Sequence, residues 1–82
     1  MSVFLIDNAD KEKLTVIIEP WAEEYYLRKN DTLKLQQPDG LNGYYHLNVW
    51  ENGDIQVYVE GEYDYPMVTI NDKEAEPFKE RE

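Results

Sequence analysis

The sequence contains no cysteine among its 82 residues. This absence excludes disulfide bonds, thiolate metal sites and thiol nucleophiles. Small secreted domains commonly depend on disulfides, because a short chain buries too little surface to be very stable. The missing cysteines therefore favour a reducing compartment, and we expect a cytoplasmic protein that folds as one domain.

Long hydrophobic runs and a basic leader are also missing. The N-terminal segment MSVFLID has no basic residue, and its apolar run is only four residues long. A secretory signal would need both features. No run approaches the roughly 20 apolar residues that a membrane-spanning helix requires. We therefore expect a soluble chain with no membrane partner.

Basic residues are scarce: 8 Lys and Arg stand against 18 Asp and Glu, for a net charge of −10. Residues 35–72 contain no Lys or Arg at all, and we call this segment the base-free window. Binding to nucleic acid or to anionic lipid requires basic side chains that neutralise phosphates. The charge thus excludes these partners, and it favours either plain solubility or a docking face for a basic protein.

Residues that commonly catalyse reactions are few. The chain has a single histidine, His46, and a single serine, Ser2, so a hydrolytic triad or a histidine-rich metal site is not expected. Carboxylates such as Glu23 and Glu24 could perform acid–base chemistry in pairs. We predict a protein that is not an enzyme and needs no cofactor or metal, with a small carboxylate-dependent enzyme as an alternative.

Apolar residues alternate with polar ones at a spacing of two, which is typical of half-buried strands. Turn-forming residues separate these runs and predict strands at about 3–7, 13–19, 24–28, 32–36, 43–50, 55–60 and 67–71. The pattern predicts an all-β fold, a small antiparallel sandwich or partly open barrel of about seven short strands. It would occupy residues 1–71, and residues 72–82 would form a disordered charged tail.

One hairpin can be predicted in register. A three-residue loop, Glu51-Asn52-Gly53, places Gly53 in the left-handed conformation and pairs Val49 with Ile55. One face of this hairpin is then uniformly apolar. A shift of one residue would move every side chain to the opposite face, so the apolar face selects this register. That face consists of Tyr45, Leu47, Val49, Ile55, Val57 and Val59.

A second hairpin is predicted around Lys29-Asn30-Asp31, with Leu27 opposite Leu33 and Tyr25 opposite Leu35. Pro20 is expected to mark the end of a strand, and Trp21 to cover one end of the sandwich. A strand left unpaired at a sheet edge, either 3–7 or 67–71, could support a homodimer; otherwise the protein would be a monomer.

The other face of the first hairpin is aromatic and acidic. Rings flanked by amides and carboxylates suit a protein interface or a sugar, whereas large rings can equally be buried against a second sheet. We predict that the binding residues lie on this face and in the acidic run after it. The candidates are Tyr44, His46, Trp50, Asp54, Tyr58, Glu60, Glu62 and Asp64.

A short pattern resembles one found in small uncharacterised bacterial all-β proteins. A strand ends in Glu-Pro-Trp, an aromatic strand follows, and a turn leads into an alternating leucine strand; the matching residues are Glu19, Pro20, Trp21, Leu27, Asp31, Leu33 and Leu35. Lys29-Asn30 replaces the Pro-Gly of that pattern. The resemblance implies a compact all-β domain and no particular function.

These observations together favour a non-enzymatic, acidic protein-binding module, comparable in size and charge to an inhibitor or an immunity protein. Its partner would be a protein, of basic character if the negative charge steers binding. A carbohydrate-binding module that uses Trp50 and Tyr58 is the main alternative.

Overall fold

A computed structural model describes residues 2–78 of the chain. Eight strands follow one another: β1 (Ser2–Asp7), β2 (Lys13–Glu19), β3 (Glu23–Arg28), β4 (Thr32–Gln37), β5 (Gly43–Val49), β6 (Ile55–Gly61), β7 (Met67–Ile70) and β8 (Lys73–Glu74). Sheet 1 has the strand order β1-β4-β7-β8, and sheet 2 has the order β3-β2-β6-β5. The prediction of a small all-β sandwich is confirmed.

The two sheets pack through their inner faces, which carry the apolar half of each alternating strand. Val16, Leu27, Leu33, Leu35 and Val57 have no exposed surface. Sheet 2 supplies three of these side chains and sheet 1 supplies two, so the core lies between the sheets. Strand pairs are antiparallel except β2 and β6, which run parallel where the sequence analysis expected antiparallel strands throughout.

The predicted hairpin around Lys29-Asn30-Asp31 is wrong. Leu27 pairs with Leu14 of β2, whereas Leu33 pairs with Ile6 of β1, so the turn carries the chain from sheet 2 to sheet 1. The alternation had placed Leu27 and Leu33 on the same apolar face, and they do share the core. Period-two spacing identifies the buried side of a strand but not its neighbour.

The two long sides of the sandwich are different. Past β8 the chain crosses towards sheet 2, and the Phe78 N–H donates a hydrogen bond of 2.7 Å to the Glu24 carbonyl in β3. On the opposite side β1 and β5 are both edge strands, and the rings of Phe4 and Tyr45 meet between them at 5.1 Å. One side is therefore bridged by the chain, whereas on the other side β1 and β5 each have one edge that pairs with no strand of residues 2–78.

Two further predictions change with this topology. Residues 67–71 were expected as a possible edge, yet β7 lies between β4 and β8; residues 3–7 do form an edge as β1. Residues 72–82 were predicted to be a disordered tail, but Lys73–Glu74 form β8 and Phe78 bridges to β3. Residues 79–82 of that predicted tail lie outside the described residues. Within residues 2–78 the chain contains no helix with the length and apolarity to cross a membrane.

Candidate functional site

The β5–β6 hairpin has the register predicted from its sequence. Val49 lies opposite Ile55, and Leu47 lies opposite Val57. The Trp50 N–H donates to the Asp54 carbonyl at 2.9 Å, and Gly53, at a φ of 93°, closes the loop by donating to the Trp50 carbonyl at 2.8 Å. This register fixes which side chains of the hairpin point towards sheet 1 and which point to solvent.

The aromatic face points to solvent. Tyr44 is 61% exposed and Trp50 is 55% exposed, whereas Val57 and Val59 on the opposite face are buried. The alternative in which this face packs against a second sheet is therefore wrong. His46 is also exposed, while Tyr58 and Glu60 are half-buried by their neighbours on the sheet.

Trp50 is held in place by polar contacts along the outer face of sheet 2. Its indole Nε1–H donates to Gln56 Oε1 at 2.8 Å, and Gln56 Nε2 donates in turn to Glu19 Oε2 at 2.9 Å. The parallel β2–β6 pairing makes the contact between Gln56 and Glu19 possible, because it sets Ile17, two residues before Glu19, beside Gln56. The indole thus has a fixed position although much of it remains in contact with water.

A shallow cleft of about 500 Å³ lies beside this indole. Ile17 and Gln56 line it from the strands, and Asn52 and Asp54 line it from the hairpin loop. The loop is anchored by Lys11, whose Nζ donates to the Asn52 carbonyl at 2.8 Å. The cleft combines an aromatic surface with amide and carboxylate groups, which can recognise either a protein side chain or a sugar.

The acidic run after β6 has a structural part in the fold. Glu62 Oε1 accepts the Asn42 N–H at 2.8 Å, and Asp64 Oδ1 accepts the Tyr65 N–H at 2.8 Å. Both residues follow β6, whereas Trp50 precedes it, so the length of this strand separates them. The structure thus brings Tyr44, His46, Trp50, Tyr58 and Glu60 onto one sheet face with Asp54 at its end, and leaves Glu62 and Asp64 in the next connection.

Two aromatic residues on the same sheet face were not predicted as part of the site. The rings of Tyr26 and Phe78 lie 4.7 Å apart, and Lys13 Nζ is 4.3 Å from the centre of the Tyr26 ring. Tyr26 lies between the inward-facing Tyr25 and Leu27 and so faces outwards, whereas Phe78 falls within the predicted tail. No local pattern indicated that the chain after β8 returns to β3.

Three aromatic residues form a separate cluster at the bridged side of the sandwich. The hydroxyls of Tyr25 and Tyr65 are hydrogen-bonded to each other, and Trp21 contacts the Tyr65 ring edge-on at 4.9 Å between centres. A cavity of about 340 Å³ adjoins this pair, with Glu23 and Glu76 in its lining. Trp21 lies in the β2–β3 turn as a partly exposed cover for Tyr65, in keeping with its predicted position at one end of the sandwich.

Residues 2–78 contain no group of three or more histidine and carboxylate side chains arranged to hold a metal ion. Comparisons with protein-family models, with curated proteins and with solved structures give no match to this chain.

The buried tyrosines predict a loss of stability in alkali. Burial is the main cause that raises the pKa of Tyr25 well above 10, and the hydrogen bond between its hydroxyl and that of Tyr65 and the nearby Glu23 add to it. Burial likewise raises the pKa of Tyr65 and Tyr45. A raised pKa in the folded state means that folding favours the neutral phenol, so this contribution is complete below about pH 10 and is lost as the pH rises further.

We therefore expect the free energy of unfolding to fall above about pH 10, by up to about 1.4 kcal/mol per pH unit for each tyrosine that stays protonated only when folded. Urea denaturation from pH 8 to 11 measures this slope. Tyr25→Phe should reduce the slope, whereas Tyr44→Phe, which removes the hydroxyl of an exposed side chain, should preserve it. A stability that stays constant up to pH 11 would contradict the account.

Proposed function

We propose that this protein binds another protein through the outer face of sheet 2. The observation that carries the proposal is the exposure of Tyr44 and Trp50 on one sheet face, with Tyr58 between them. Exposed apolar side chains that share one face of a protein commonly mark an interaction site. The six-residue separation of Tyr44 and Trp50 along β5 spans about 20 Å, which matches the dimensions of a small interface.

The types of residue on this face suit an interface. Trp and Tyr are the residues that most often dominate binding energy, because each buries a large apolar area and keeps a polar group for hydrogen bonding. Trp50 is already fixed by Gln56, so its side chain would lose little conformational freedom on binding. Preorganised aromatic anchors of this kind raise affinity without enlarging the contact area.

The charge of the face favours a basic partner. Glu19, Asp54 and Glu60 lie on or beside it, and β5 and β6 fall within the base-free window. The negative field would speed the encounter with Lys- or Arg-rich surfaces and would repel nucleic acid and anionic lipid. Lys13 lies on β2 beside Tyr26. Lys11 reaches the hairpin loop at the Asn52 carbonyl, so one ammonium group stands against these three carboxylates and the face stays acidic.

Trp50→Ala tests the proposal. Immobilised wild-type protein and the variant are exposed to lysate of the source cells, and retained proteins are quantified by mass spectrometry. We expect the specifically retained protein to be reduced about tenfold or more, because loss of an interface tryptophan commonly costs 2 kcal/mol or more. Met67→Ala is the matched control, since Met67 is 63% exposed but lies on sheet 1.

The same experiment separates anchoring from charge. Retention of the partner should fall as salt rises from about 0.05 to 0.5 M, because screening slows the encounter of charged surfaces. Equal retention by wild type, Trp50→Ala and Met67→Ala would rule out this face as the binding surface. If retention is lost in Trp50→Ala but does not depend on salt, this face is the binding surface but the partner is not basic.

A carbohydrate-binding module is the second candidate, favoured by the cleft beside Trp50. The tryptophan ring can stack on a sugar. Hydrogen bonds from the sugar hydroxyls can be accepted by the amide oxygens of Asn52 and Gln56 and by the carboxylate of Asp54. The substitution Trp21→Phe removes the background fluorescence of Trp21 and leaves Trp50 as the single tryptophan. A saturable fluorescence change on titration with an oligosaccharide is the expected result for this candidate, and no change across a panel of neutral and basic glycans would dispose of it.

A further inference from the structure

Strand β5 has an open hydrogen-bonding edge. Antiparallel strands alternate between residues that bond to their partner and residues that face away. The hydrogen bonds of Trp50 with Asp54 and of Glu62 with Asn42 fix this alternation at the two ends of the hairpin. The N–H and C=O groups of Tyr45, Leu47 and Val49 therefore point away from β6, and among residues 2–78 no strand pairs with that edge.

The apolar side of β5 is also uncovered. Leu47 and Val49 belong to the inner face of sheet 2, yet Leu47 is 36% exposed and Val49 is 70% exposed. The facing edge strand of sheet 1 reaches β5 at the contact between Phe4 and Tyr45. Beyond that contact, none of the described strands covers β5. Its unpaired backbone groups and its apolar side chains are therefore exposed side by side.

The composition of β5 does nothing to discourage pairing. Natural edge strands are commonly protected by lysine, proline, a bulge or an inward charge. Residues 40–50 carry no charged side chain and no proline, although 32% of the whole chain is Asp, Glu, Lys or Arg. Seven residues of this run form β5, a length sufficient to receive another strand.

We infer that β5 receives an extended basic segment of the partner protein, which adds to sheet 2 as a fifth strand in antiparallel orientation. This inference rests on the proposed function and names the kind of segment that is bound. Backbone hydrogen bonds to an exposed edge supply affinity in this mode, and pockets for alternate side chains supply specificity. The segment would carry aliphatic residues over Leu47 and Val49, and Lys or Arg at the alternating positions.

Charge complementarity selects this occupant. The alternating basic side chains would lie on the outer face, beside Tyr44 and His46 and within reach of Glu60 and Asp54 on the neighbouring strand and its loop. A second copy of the chain carries the same net charge of −10, and the repulsion between the two copies as whole molecules opposes pairing. The β1 edge is less suited to a basic segment, because its neighbour β4 carries no carboxylate and its Lys34 already pairs with Asp72.

Amide hydrogen exchange tests the inference. The probe is a seven-residue capped peptide that alternates lysine and valine, matched to the length of β5. At ten times its dissociation constant it should slow exchange of the Tyr45, Leu47 and Val49 amides by about tenfold, because about one molecule in eleven stays free. The same peptide N-methylated at its valines should give no such protection, since those amides would face β5. A glutamate-for-lysine peptide should bind much more weakly.

Matched protein variants locate the binding edge. Val49→Lys places a charge on the open edge and should weaken peptide binding at least fivefold. Met67→Lys makes the same change of charge at a similarly exposed position on sheet 1, and it should change binding less than twofold. Equal loss in both variants would mean that the peptide responds to net charge alone and would overturn the inference.

Other results would also overturn it. Protection of the Val3 and Leu5 amides instead would assign the segment to β1. Equal protection by the N-methylated peptide would exclude strand addition, and self-association of the free protein through β5 would make a second copy the occupant. If β5 is not protected but Trp50→Ala still abolishes partner retention, only the strand-addition inference fails. If β5 is protected and Trp50→Ala has no effect, the proposed aromatic face fails.

Discussion

Burial of the inner faces of the two sheets is the constraint on which the rest of this structure depends. A domain of this size has few apolar residues to spare, and without cysteine it has no covalent cross-link to support a small core. Val16, Ile18 and Leu27 from sheet 2 pack against Leu33 and Leu35 from sheet 1 with no surface left in water. Because the core takes one residue in two along each strand, the alternate residues must face outwards. The outer face of sheet 2 is therefore available for binding.

The same constraint explains why the two sides of the sandwich differ. At one side the chain after β8 crosses over the Tyr25–Tyr65 pair and bonds to β3, which joins the sheets. At the other side the edge strands β1 and β5 meet at Phe4 and Tyr45, and the end of β5 extends beyond the part that β1 covers. The open backbone edge, the bare apolar side chains and the aromatic outer face all belong to one hairpin. A single strand segment added there could contact all three.

The sequence predicts what depends on neighbouring residues and misses what depends on distant ones. The β5–β6 register follows from Glu51-Asn52-Gly53 and from the need to keep Val49 and Ile55 on one face, and it is confirmed. The predicted pairing of β3 with β4 is wrong. Alternation shows that Leu27 and Leu33 are buried, but it does not show that they lie in different sheets. The exposure of Trp50 could not be read from its strand, since it depends on whether a distant part of the chain covers the outer face of sheet 2. The place of Phe78 in the site depends on a long-range bridge to Glu24 that no local pattern encodes.

Strand β5 is held by β6 on one edge and, among the strands of residues 2–78, is open on the other. Amide hydrogen exchange of the free protein, measured residue by residue along β5, tests it most directly. The account predicts protection that alternates: the amides of Tyr44, His46 and Asn48 exchange slowly, and those of Tyr45, Leu47 and Val49 exchange at nearly the rate of an unstructured chain. Uniform protection of all six amides at low protein concentration would contradict it, because the outer edge of β5 would then already be paired.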